Sequence, residues 1–323
     1  MRVFAAVLVA AGALFAAHVA MAGEAAKFRA PRTSFGAPDL QGVWSNASMT
    51  VLERPSAAGA ALIVSDAEAA NVERRLTEQH AKSQSSLPVG QEEAEWLEGV
   101  DHLARISGQA RTSWLVSPAS GKLPYTAEGL ARFRGFLGSA YTRDGPERRS
   151  NSERCISGGM GSAGVPILNQ VAAAHYQIVQ TRDDVVIVAE SNHDARIIRL
   201  SGAHLPPNVR VWIGDSIGHW EKDTLVVEST NFRPDEGDHA QMILSPSARV
   251  TERFTRTSPT EIRYEFTVDD PADYSEVWRG EMPFVAAKGP VFEYACHEGN
   301  YSLPNVLAGA RHEEAVAKMA AGR

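Results

Sequence analysis

"IRYEFTV", residues 262–268, alternates without a fault: Ile262, Tyr264, Phe266 and Val268 take one side, Arg263, Glu265 and Thr267 the other. Successive side chains of an extended chain point to opposite faces, so this is a strand with one face in a core and one in water. The same texture runs outward in both directions. "ARVTERFTRT" precedes it through the turn "SPTE"; "YSEVWRGEMPFVA" follows and turns at "KG" into "PVFEYAC". Further upstream lie "HYQIVQT", the turn "RDD", "VVIVAESNHDARIIRL", and "VRVWIGDSIGHWE", which passes through "KD" into "TLVVESTNF". These are β-branched and aromatic runs joined by short polar turns. They predict one continuous antiparallel meander over 171–300. So long a meander hides its edges by closing into a barrel or folding as a sandwich. Gly42-Val43-Trp44 suits the barrel's first strand, with the Trp closing its floor.

Helical signals lie elsewhere. Ser65 with Glu68 three residues on forms a capping box for a helix over 65–81. A second short helix is expected at 91–107 and a third at 126–137 with Thr126 as its cap. Residues 138–170, rich in Gly, Ser, Arg and Asn, read as a long ordered loop, and 305–323 as a terminal helix. The helices are too few for a domain of their own. The expected organisation is a single β-barrel domain over 23–323, with a helical insertion at about 60–140.

The chain opens with Arg2, an apolar run Val3–Ala17 and the small-x-small triplet Ala20-Met21-Ala22. This predicts a signal peptide over 1–22 and a periplasmic or secreted protein. No later stretch approaches the roughly 20 apolar residues of a spanning helix, so no integral membrane segment is expected in the mature chain. Removing residues 1–22 takes away Arg2 alone among the charges and shifts the net charge from −7 to −8. Mild acidity argues against nucleic acid and against anionic membrane surfaces. The two cysteines, Cys155 and Cys296, read as one disulfide closing a long loop in an oxidising compartment. The alternative is two buried thiols. No CxxC, H-x-H or H-E-x-x-H occurs, so no metal site is expected, although distant histidines such as His193 and His297 could still assemble one with a carboxylate. A G-x-S-x-G nucleophile motif is also absent.

Three stretches carry candidate chemistry. In "AESNHDARIIRL", Glu190, His193, Asp194 and Arg196 interrupt an apolar run. In "HLPPNVRVWIGDSIGHWEKDTLVVESTNF", Trp212 and Trp220 offer an aromatic wall beside Asp215. In "EYACHEGNYSL" (293–303), His297, Glu298, Asn300 and Tyr301 follow Cys296 at what reads as the end of the last strand. His297 or His193 is the candidate base, oriented by Asp194 or Glu190, with Tyr301 or Arg196 stabilising developing negative charge. Each stretch also has a plain structural reading: a surface ion pair, core tryptophans, or a hydrogen-bonded histidine beside a disulfide.

Taken together, HDAR…GDSxGxWExDTLVV…EYACHEGNY resembles the pattern of a large family of exported bacterial proteins. The resemblance covers roughly 150–315 and, more weakly, the N-terminal "GVW". Lys222 stands where that pattern has Gly, and Tyr274 where it often has Trp. The resemblance implies a shared fold and mouth and lends no reaction.

The expected fold is therefore mainly β, an antiparallel meander closed into a lipocalin-like barrel with a few N-terminal helices and a C-terminal one. The expected function is a lyase-type enzyme without a bound cofactor, acting by His/carboxylate acid–base chemistry on a small apolar or aromatic molecule. The alternatives are a lipocalin-like carrier and a metal-dependent hydrolase. Ionisable groups at strand ends favour the enzyme, because an apolar carrier would bear a desolvation cost for each.

Overall fold

The computed structural model describes residues 28–55, 61–84, 97–99, 101–139, 142–157, 162–234 and 241–322. The signal-peptide reading, the first half of the helix expected at 91–107 and residues 158–161 lie outside them.

Nine strands close a barrel. They are β1 (Gly42–Ser45) and the run from β6 (His175–Gln180) through β7 (Asp184–Ala189), β8 (Ala195–Arg199), β9 (Asp215–Glu221), β10 (Thr224–Thr230), β11 (Arg249–Ser258) and β12 (Glu261–Asp269) to β13 (Trp278–Ala286). Strand β1 pairs with both β6 and β13, which completes the ring. Short β5 (Leu115–Ser117) lies against β13. A three-stranded sheet of β2 (Ile63–Val64), β3 (Arg105–Ile106) and β4 (Gln109–Arg111) sits apart, in the order β2-β4-β3. Helix α1 (Asp66–Gln84) covers that small sheet through a second core of Ala69, Leu103 and Ala110. The remaining helices are α2 (Ala127–Ser139), the single turn α3 (Cys296–Gly299) and α4 (Ser302–Ala321).

The alternation at 262–268 does what it predicts: Ile262, Tyr264, Phe266 and Val268 are buried and the residues between them half-exposed. They meet Val250, Phe254, Met282 and Phe284 from the neighbouring strands, with Trp44 of β1 in the same core. At Gly280 an added Cβ would lie 2.2 Å from the Phe266 ring, so only glycine leaves that ring its place across the interior. The lumen is thus a packed core. One ion pair is sealed within it: Arg196 of β8, 1% exposed, against Glu252 of β11, 0% exposed. Ser216 and Ser229 accept from the guanidinium at 2.9 and 3.0 Å, and the Tyr264 hydroxyl donates to Glu252 at 2.7 Å. Burying a charge is tolerable when its partners are complete, as here.

Several caps are as expected. Ser65 and Glu68 form the reciprocal box at the start of α1, with N–H to Oε2 and N–H to Oγ distances of 2.9 and 3.3 Å. The Thr126 hydroxyl accepts from Gly129 N–H at 2.9 Å at the start of α2. The disulfide is formed between Cys155 and Cys296, across 141 residues.

Other expectations need correcting. The meander is not wholly antiparallel, because β8 and β9 run parallel. An odd number of strands cannot close with every neighbour antiparallel, so one like-directed pair is obligatory. The strand at "AESNHD" does not continue: it breaks after Ala189 into a short helical turn, Ser191–His193, with Asn192 and His193 at φ 57° and 56°. Residues 206–214 form turns rather than strand, and β9 begins only at Asp215. "PVFEYAC" is not a strand either. Once β13 has paired with β1 no sheet edge remains for it, and it runs irregularly into α3. Residues 101–107 are not helical. Ser107 and Gly108, at φ 50° and 81°, make a two-residue hairpin turn that pairs Ile106 with Gln109.

Candidate active site

The carboxylate that sequence reasoning singled out is at the centre of a site, with a different histidine. Side chains of β6 alternate. Tyr176, Ile178 and Gln180 are buried in the barrel, so His175 points out of it. His175 is nevertheless buried, because residues 98–99 and 102–103 and the 287–292 segment lie around it on the outside. Its Nδ1 lies 3.0 Å from Glu190 Oε2. The backbone fixes this pairing, since the Glu190 N–H donates to the His175 carbonyl at 2.8 Å across the ends of β6 and β7. The Phe292 N–H donates to the same Glu190 oxygen at 3.2 Å. On the other side of the ring, Nε2 lies 3.3 Å from Glu98 Oε2, and Glu98 is half-exposed where Glu190 is buried.

These groups border a cavity of about 780 Å³ outside the barrel wall. Leu103, Ala104, Pro283, Val285 and Phe292 give it an apolar lining; Glu98, His102, Arg105, His175 and Lys288 are its ionisable groups. A carboxylate that accepts a hydrogen bond from Nδ1–H holds the imidazole in the tautomer whose Nε2 can accept. In the imidazolium form both ring nitrogens donate, one to each glutamate. The arrangement can therefore pick up a proton at Nε2 and return it.

The structure scatters the other candidates. His193 is exposed, and its Nε2 accepts from the Tyr294 N–H at 3.1 Å. Asp194 lies beside it, half-buried. His297 and Glu298 are exposed on α3, and Tyr301 is 72% exposed. Asn300 donates to the Glu153 carbonyl at 2.6 Å and, with the disulfide, ties 293–303 to the 150–157 loop. That polar cluster is a strap over the barrel wall, and its neighbour Phe292 is the part that reaches Glu190. Arg196 lies in the lumen. Trp212 is partly exposed under the Arg233 guanidinium, 4.0 Å from its ring centre. Trp220 packs half-buried against the core. Asp215 anchors the β8–β9 crossover: Arg199 and His204 meet it at 2.8 Å, and the Leu205 N–H donates to it at 2.8 Å. Burial pushes this carboxyl up, but Arg199, Leu205 and His204 outweigh burial and hold it below its ordinary 3.8. Among the described residues, no group of three or more His, Cys, Asp and Glu side chains is placed to hold a metal ion. No described helix is long and apolar enough to cross a membrane.

Sequence reasoning missed His175 and Glu98. His175 opens a strand and sits on the face that alternation assigns to solvent. Glu98 fell inside an expected helix. Nothing local in either stretch shows that two loops cover that outer face.

Compared with known proteins, the chain matches no family model, and no curated protein matches it.

Proposed function

We propose that the chain is a lyase-type enzyme that acts by proton transfer on a small apolar or aromatic molecule held in the cavity beside His175. The observation that carries this reading is the His175–Glu190 pair: one nitrogen engaged by a buried carboxylate, the other at a cavity wall. In the proposed step Nε2 takes a proton from substrate carbon and the C–H electron pair becomes the new double bond. The leaving group departs with its bonding pair and takes the proton back from the imidazolium. Glu190 orients the ring throughout, and Lys288 supplies positive charge near the cavity mouth. The base role thus moves from His297 and His193 to His175, while Glu190 keeps the orienting role that the sequence suggested. A lipocalin-like carrier is less well supported, because the lumen such a carrier uses is filled. Export is part of the proposal; the disulfide supports it, since such bonds persist in oxidising compartments.

The test screens small neutral aryl compounds bearing a leaving group β to an acidic C–H, with product followed by mass spectrometry. On the first substrate found, His175→Gln should lower turnover roughly 10²–10⁴-fold with the melting temperature nearly unchanged. His297→Gln should leave turnover within about twofold. Activity per folded molecule that survives His175→Gln overturns the assignment.

A further inference from the structure

A second and larger cavity, about 1010 Å³, lies on the far side of the same divider. Consecutive residues line the two: Ala47 and Glu98 face the first, Ser48 and Leu97 the second. The divider is tight. An added Cβ at Gly99, where φ is +66°, would lie 2.5 Å from the Ala47 carbonyl carbon, so only glycine lets the two chains pass this closely.

The larger cavity has a different chemistry. Met49, Val51, Leu123, Tyr125, Leu130 and Phe133 make its wall apolar. Tyr125 stacks between Phe133 and Tyr274, with ring centres 5.3 and 4.9 Å away. Val51 is 44% exposed, a large aliphatic side chain left open beside this wall. The Tyr125 hydroxyl lies beside that of Tyr274, and the Gln170 amide beside the Tyr176 hydroxyl. Glu53, the carboxylate in the lining, is taken up by Lys122 and the Leu123 N–H at 3.1 and 2.6 Å. Among the described residues no lysine or arginine lines the cavity, and His80 is the imidazole in its lining.

We infer that this cavity is a ligand site separate from the His175 site, and that it takes a neutral, largely apolar molecule. The inference does not depend on the lyase reading, since His175 is no part of this wall.

Nile red, a neutral carbonyl-bearing dye, tests it by fluorescence titration of the full chain. Saturable enhancement at one site per chain is expected. Val51→Trp, which fills the cavity from its open side, should weaken binding at least tenfold. His175→Gln should leave dye binding unchanged, which separates this site from the proposed active site. Thermal melts of each variant confirm folding. Non-saturable enhancement, unchanged binding in Val51→Trp, or stronger binding of an anionic probe such as anilinonaphthalene sulfonate overturns the inference.

Discussion

Arg196–Glu252 and His175–Glu190 are both base–carboxylate pairs on barrel strands, and they differ in which side of the wall they occupy. Inside, every partner of the pair is supplied: two serine hydroxyls, a tyrosine hydroxyl and the opposite charge close the network. Outside, Glu190 is also buried, but the far nitrogen of His175 meets a half-exposed carboxylate beside open space. A saturated buried pair can only be structure. A pair with one side left at a cavity can do chemistry. Arg196 and Glu190, six residues apart in sequence, looked alike as polar breaks in an apolar run, and the wall of the barrel separates their roles.

Four measurements sharpen or break that contrast. The largest effect belongs to the outer strap. Replacing Cys155 and Cys296 by Ser opens a loop of 141 residues and should cost about 4–5 kcal/mol in the chain-entropy model, less any native strain. Urea unfolding of oxidised protein and variant reads it, and a cost under about 1 kcal/mol would mean that the strap is held by its other contacts.

Arg196→Met comes next. It strands Glu252 uncompensated in the lumen and should cost about 3–5 kcal/mol. Combining it with Glu252→Leu should recover most of that loss. If the single variant is nearly neutral by urea unfolding, the interior pair is not the sealed network described.

His175→Gln should change stability by no more than about 1 kcal/mol, because Glu190 keeps the Phe292 N–H and water can reach the site. A loss as large as that of Arg196→Met would erase the distinction between the two sides.

The smallest effect concerns Asp215. Its folded carboxyl titrates below 3.8, so its contribution to stability is fully present above about pH 4 and is lost as the pH falls through the depressed value. The stability gap between the wild type and Asp215→Asn should therefore be constant from pH 5 to 7 and shrink below pH 4. A gap that widens on acidification contradicts that sign.

The barrel was legible because strand periodicity is local: Ile262 to Val268 carry their burial in their own spacing, and Ser65 with Glu68 carries a helix start in four residues. The disulfide was legible by counting. What escaped depended on closure. "PVFEYAC" has the composition of a strand and no edge to join. Residues 101–107 were read for helix composition and not for the Ser107-Gly108 turn. The site escaped for the same reason. Glu98, His175, Glu190 and Phe292 meet only because two loops fold back over the outside of β6. No period or short motif records such a meeting; Glu190 alone announced itself, as a charge where an apolar run should have continued.

The parallel seam has a mechanical consequence. Only two residue pairs, Ile198 with Ser216 and Arg199 with Ile217, join β8 to β9, against seven between β9 and β10. The ring is therefore two arches, β1 with β6–β8 and β9–β13, meeting at two short welds, since β1 and β13 are also joined by two pairs, Trp44 with Ala286 and Ser45 with Val285. If the barrel breathes, it should part at these welds first, and amides of β8 and β9 facing theirs should exchange with solvent ahead of those in β11 and β12. Arg196 stands on one arch and holds Ser216, Ser229 and Glu252 on the other. In that light the buried arginine is a bolt through one of the two short joints of the ring, placed where the backbone supplies few ties.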